Sequence, residues 1–104
     1  MEDTLRRLLK FRDERNWEQF HSPAVLARTI VIEASKLLEQ FQWKDKCKDK
    51  DLACRKLANI ICDCLLMTDA LNVDAYKIID EKIISDIEEF PKIKHRKKLT
   101  TAKE

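Results

Sequence analysis

The sequence predicts an all-α protein, a four-helix antiparallel bundle, and three observations carry that expectation. Glycine is absent from the 104 residues and proline occurs twice, which removes the tight hairpins, P-loops and dinucleotide-binding turns that depend on glycine. Leu, Ile, Lys, Glu and Ala, with Asp, dominate, and the first five make a composition typical of helices. Four separate stretches carry apolar residues at helical spacing. With 44% apolar and 38% charged residues, one domain can form a core beneath a heavily charged surface.

The first helix is expected over Asp3–Arg15, with Leu5, Leu8 and Leu9 on one side. A short connection, Asn16–His21, carries Trp17 and Phe20. Ser22-Pro23 then starts a helix, because Ser caps free N–H groups and Pro is tolerated at the first helical position. This second helix runs to Phe41, with Leu26, Ile30, Leu37 and Phe41 at helical spacing. Lys44–Asp51 is almost wholly charged and reads as a loop. The third helix covers Leu52–Leu71, with Leu57, Ile60, Cys64, Met67 and Leu71 inward, and Asn72 follows where a left-handed stop suits the chain. Asp74 caps the fourth helix, whose Tyr76, Ile79, Ile83, Ile87 and Phe90 form a stripe ending at Pro91. Short links make neighbouring helices antiparallel. A chain this small leaves apolar surface for another copy to cover, so a dimer or higher oligomer is expected.

Charge divides the chain into a helical domain, 1–91, and a basic tail, 92–104. The tail holds six Lys/Arg and one acid within a chain of net charge +2. Such a tail reads as a solvated end, and the body is too nearly neutral to call for a nucleic-acid partner. No apolar run reaches the ~18 residues of a membrane span. Met1-Glu2-Asp3-Thr4 does not read as a signal peptide. A cytoplasmic protein without membrane partners is expected. Cys47, Cys54, Cys62 and Cys64 form no CxxC pair and suggest free thiols rather than a zinc site.

Projected at about 100° per residue, Glu33 borders the apolar arc of the second helix, and Lys56, Asn59 and Asp63 border that of the third. In the fourth helix Asp86 borders the Ile79, Ile83 and Ile87 stripe. Polar groups flanking the core faces of three helices suit a cleft in a bundle, and equally suit an ordinary amphipathic boundary laced with salt bridges.

The segment Phe11–Pro23, containing Arg15-Asn16-Trp17-Glu18-Gln19-Phe20-His21, and the segment Glu33–Trp43, ending in Phe41-Gln42-Trp43, resemble the MazG-like all-α NTP pyrophosphatases, dCTP-pyrophosphatase-like branch. Leu57-Ala58-Asn59, the turn Asp69–Asp74 and the stretch Lys82–Pro91 extend the match. The resemblance implies a helical, usually oligomeric enzyme that converts nucleoside triphosphates to the monophosphate and pyrophosphate. It implies Mg²⁺ as cofactor, held by an ExxE motif on one helix and an ExxD motif on the next. It also marks Trp17, His21, Phe41, Trp43 and Lys82 as nucleotide-binding candidates, with a pyrimidine deoxynucleotide favoured.

At the four metal-site positions the chain departs from that pattern. The first motif reads Glu33-Ala34-Ser35-Lys36 and the second Lys56-Leu57-Ala58-Asn59. Glu33 alone remains as a metal-ligand candidate. Asp63 stands where many relatives carry Tyr, and Asp86 where they carry Asn. An ammonium group does not ligate Mg²⁺ and repels it: at ~4 Å a like-charged pair costs about 4 kcal/mol at an effective dielectric near 20, and a dication doubles that. Three readings stay open. The chain is an impaired family member that still binds nucleotide through Lys36 and Lys56. Alternatively, Glu33 pairs with those lysines and closes the cleft, leaving a dimeric scaffold or regulatory protein. In the third, a Mg²⁺-dependent pyrophosphatase works through displaced ligands, with Asp63 and Asp86 as auxiliary acids beside Glu33 and the Asn59 carbonyl.

Overall fold

The computed structural model describes residues 2–42 and 46–92. Four α-helices account for most of them: α1 Glu2–Glu14, α2 Pro23–Leu38, α3 Lys50–Ala70 and α4 Ala75–Glu89. Single 3-10 turns follow α1 at Trp17–Phe20 and α2 at Glu39–Phe41. No strand occurs among the described residues. No helix there is long and apolar enough to cross a membrane. Trp43 and the tail beyond Lys92 lie outside the described residues.

Local chemistry accounts for the helix ends. Ser22 accepts a hydrogen bond from the Val25 N–H, with Pro23 in the first turn of α2. Asp49 does the same for the Leu52 N–H, so α3 starts two residues before the expected Leu52. Asp74 caps α4 through the Tyr76 and Lys77 N–H groups. Asn72 adopts φ 58°. The Val73 N–H donates to the Thr68 carbonyl and the Asn72 N–H to that of Asp69, the paired pattern of a left-handed helix stop. A second left-handed residue, Asn16 at φ 56°, turns the chain after α1. The second helix ends earlier than expected, because the chain tightens to 3-10 geometry from Glu39 onward.

Helices α2 and α3 make the principal pair. The covered face of α2 runs Leu26, Thr29, Ile30, Glu33 and Leu37 and continues to Gln40 in the following 3-10 turn, a helical stripe with a carboxylate in its middle. Gln40 is 8% exposed; its side-chain carbonyl accepts from the Asp49 N–H and its backbone carbonyl from the Lys48 N–H, fastening the start of α3 to the end of α2. Arg12, 7% exposed, joins α1 to α3 through Asp69 at 2.8 Å. Burial opposes its charge, but the bonds to Asp69 and Asp13 raise the guanidinium pKa.

The inward face expected for α3 needs correction. Leu57, Ile61, Cys64 and Leu71 are exposed, while Leu65 and Leu66 are buried. The covered side of α3 in the middle of the helix carries Lys56, Ile60, Asp63 and Met67, rotated toward the polar edge by about 60°. Leu38 at the end of α2 and Phe41 in the turn after it are likewise exposed. Within one chain α2 covers only this flank of α3, so the polar boundary becomes the seam. The α4 stripe is also open: Ile79, Ile83, Ile87 and Phe90 are all exposed.

Candidate functional site: a carboxylate between two lysines

Glu33 projects from the covered face of α2 into the seam with α3, and its side chain is 13% exposed. Oε1 lies 3.4 Å from the Lys56 Nζ and accepts a 3.1 Å hydrogen bond from the Asn59 amide. Oε2 lies 3.5 Å from the Lys36 Nζ. The i,i+3 spacings place Lys36 beside Glu33 on α2, and Asn59 beside Lys56 on α3. The four positions singled out from the sequence therefore meet around one carboxylate. The Asn59 amide, then Lys56 and Lys36, hold the Glu33 carboxyl below its ordinary pKa against the opposing effect of burial.

Asp63 continues the α3 row one turn beyond Asn59. Burial pushes its pKa up and the Glu33 charge pushes it further, while His21 acts in the opposite sense. His21 is half-buried, with its Nδ1 enclosed and without a hydrogen-bond partner. His21 and Asp63 thus border the Glu33 cluster electrostatically. Asp86 is held by Lys82 at 2.8 Å across one turn of α4, and both take that pairing rather than a described contact with Glu33. Trp17 packs edge-on against Phe11, ring centroids 5.4 Å apart. Phe41 is 38% exposed just beyond α2. The sequence reading missed the Phe11 ring between Trp17 and Arg15, whose guanidinium sits 3.7 Å above it.

The donor set has a clear chemical character. Both oxygens of the one carboxylate are engaged by cationic or amide donors, two ammonium groups and the Asn59 amide N–H. Such a set suits an anion and does not suit Mg²⁺, which needs several oxygen ligands. Among the described residues no three His, Cys, Asp or Glu side chains come together as metal ligands. All four cysteines are free thiols.

Residues 28–104 match the model of the MazG-like family. The chain is 27% identical to dCTP pyrophosphatase 1 of Rattus norvegicus over 100 residues, covering 88% of this chain and 59% of that protein. It is 48% identical to dCTP pyrophosphatase 1 of Homo sapiens over 44 residues, 42% of this chain and 26% of that one. The chain thus spans less than two thirds of the length of these curated relatives. A pyrophosphatase from Archaeoglobus fulgidus of known crystal structure superposes with a TM-score of 0.78 at 29% identity, over 88% of this chain and 93% of that one.

Proposed function

Since the chain belongs to the MazG-like family, whose model covers residues 28–104, we propose that it binds nucleoside triphosphates but has largely lost the family's Mg²⁺-dependent pyrophosphohydrolysis. The engagement of Glu33 by Lys56, Asn59 and Lys36 speaks against metal chemistry. The observation that carries phosphate binding is the pair of ammonium groups, Lys36 and Lys56, that converge on this one seam. Ammonium groups act as point charges for phosphate, so Lys36 and Lys56 take the phosphate chain in the place where relatives gather metal. The names of the curated relatives, dCTP pyrophosphatases, favour a pyrimidine deoxynucleotide. Trp17, His21, Phe41 and Trp43 are the side chains proposed for the base side, with Lys82 a further nucleotide-binding candidate.

A displaced metal set of Glu33, Asp63, Asp86 and the Asn59 carbonyl is less well supported. Burial raises the Asp63 pKa, Asp86 is paired with Lys82, and two ammonium groups flank Glu33. The four free thiols suit a reducing compartment, and we place the protein in the cytoplasm.

Calorimetry with dCTP, dUTP and ATP, each with and without Mg²⁺, tests this function. Binding that does not need Mg²⁺, with no pyrophosphate release above blank, is the expected result. Mg²⁺-dependent turnover would refute it. A non-catalytic scaffold is the second reading, favoured by the pairing of Glu33 with Lys36 and Lys56 in the seam and by the open Ile79, Ile83, Ile87 and Phe90 stripe on α4, which a second copy would cover. It predicts a dimer by sedimentation and no heat with any nucleotide. Ile83→Glu/Ile87→Glu would then return the chain to a monomer.

A further inference from the structure

The Glu33 carboxylate and a phosphate group ask for the same partners. Both are anionic oxygens, and each ammonium can serve either one. Lys36 and Lys56 approach different oxygens of the carboxylate, at 3.5 and 3.4 Å. The side chains also differ in access: Lys36 is 48% exposed, Lys56 22% and Glu33 13%. An incoming anion therefore meets Lys36 first and finds Glu33 seated between it and Lys56.

We propose that Glu33 is a built-in competitor of the ligand: its carboxylate fills the seat between Lys36 and Lys56 that a phosphate group takes on binding, so the site admits polyphosphate chains and turns away monophosphates. This deepens the phosphate-binding reading above and rests on it. A single phosphate that expels Glu33 must satisfy both ammonium groups alone, with the displaced carboxylate still nearby. A polyphosphate presents successive charged groups and serves both lysines together. The reaction's triphosphate and monophosphate would thus be told apart by chain charge, with no metal involved.

The test is calorimetry of the full chain in EDTA with phosphate, pyrophosphate and tripolyphosphate. In the wild type, affinity should climb steeply with chain length; a flat series overturns the proposal without any substitution. Glu33→Gln and Glu33→Ala should each bind phosphate and pyrophosphate about tenfold tighter or more, because a charge competing at close range has gone. The gain for tripolyphosphate should be smaller. Lys36→Ala/Lys56→Ala should lose binding of all three. If the wild type binds tripolyphosphate through the lysines but neither Glu33 variant binds any anion tighter, competition by Glu33 is wrong and the phosphate reading stands. If neither the wild type nor Glu33→Gln binds any of the three, both are wrong.

Discussion

Two carboxyl groups in one seam are pushed in opposite directions. Glu33 is held in its charged form by Asn59 and the lysines, whereas burial and the neighbouring Glu33 charge favour the neutral form of Asp63. The consequences for stability have opposite signs. A lowered folded pKa means that Glu33 stabilises the fold above the ordinary glutamate value of about 4.3 and loses that effect as pH falls through its folded value. A raised folded pKa means that Asp63 is tolerated best below about 3.9 and weighs against the fold as pH rises past its folded value. Melting curves from pH 7 down to pH 3 should show Glu33→Gln melting below the wild type at neutral pH, with the gap closing in acid. Asp63→Asn should melt above the wild type at pH 7, by about 3 °C given partial exposure, and lose that advantage near pH 3. The four-residue cluster was legible through the family pattern, which names its positions, whereas helical projection alone fitted an ordinary amphipathic boundary equally well. The enclosed His21 Nδ1 was not, because a lone His beside a helix start carries no signal of what folds over it.

Among the elements, α1 is the one whose attachment depends most on a single side chain. Arg12 is buried and bonded at 2.8 Å to Asp69 near the end of α3, and also to its own neighbour Asp13. Asp69 therefore ties two helices together, while Asp13 shares the helix it pairs with. Asp69→Ala should destabilise the protein by about 2 kcal/mol, below the ~3–5 kcal/mol of a fully buried pair because Asp69 is partly exposed. Asp13→Ala, read by the same urea unfolding curves, should cost less than half as much. A larger loss from Asp13→Ala would show that the inter-helix bond is not what holds α1. The caps at Ser22 and Asp74 and the stop at Asn72 were readable because each rests on its immediate neighbours. The partnership of Arg12 with a residue 57 positions away has no local signature, nor has the left-handed turn at Asn16.

Over the whole molecule, burial is concentrated in the α2–α3 seam and the Arg12 anchor, and much apolar surface stays open. The radius of gyration is 16.9 Å, against about 13 Å for a compact domain of this length. Leu57 and Ile61 on α3 and the isoleucine stripe on α4 are exposed. A helical projection shows how wide an apolar face is, but not which flank its own chain covers. That is why the apolar arc of α3 was expected inward while its polar edge lies in the seam. This displacement brings Lys56 to 3.4 Å from Glu33 and leaves Asp63 half-buried rather than at a solvent boundary.

On the proposed reading, acids replaced by amines and an amide turn a cation site into an anion site at unchanged positions. Calorimetric titration of Mg²⁺ into the wild type and into Lys36→Glu/Lys56→Glu/Asn59→Asp measures that directly. The wild type should give no binding heat and the triple variant clear Mg²⁺ binding. Mg²⁺ binding by the wild type that Glu33→Gln abolishes, or a folded triple variant that ignores Mg²⁺, would contradict it.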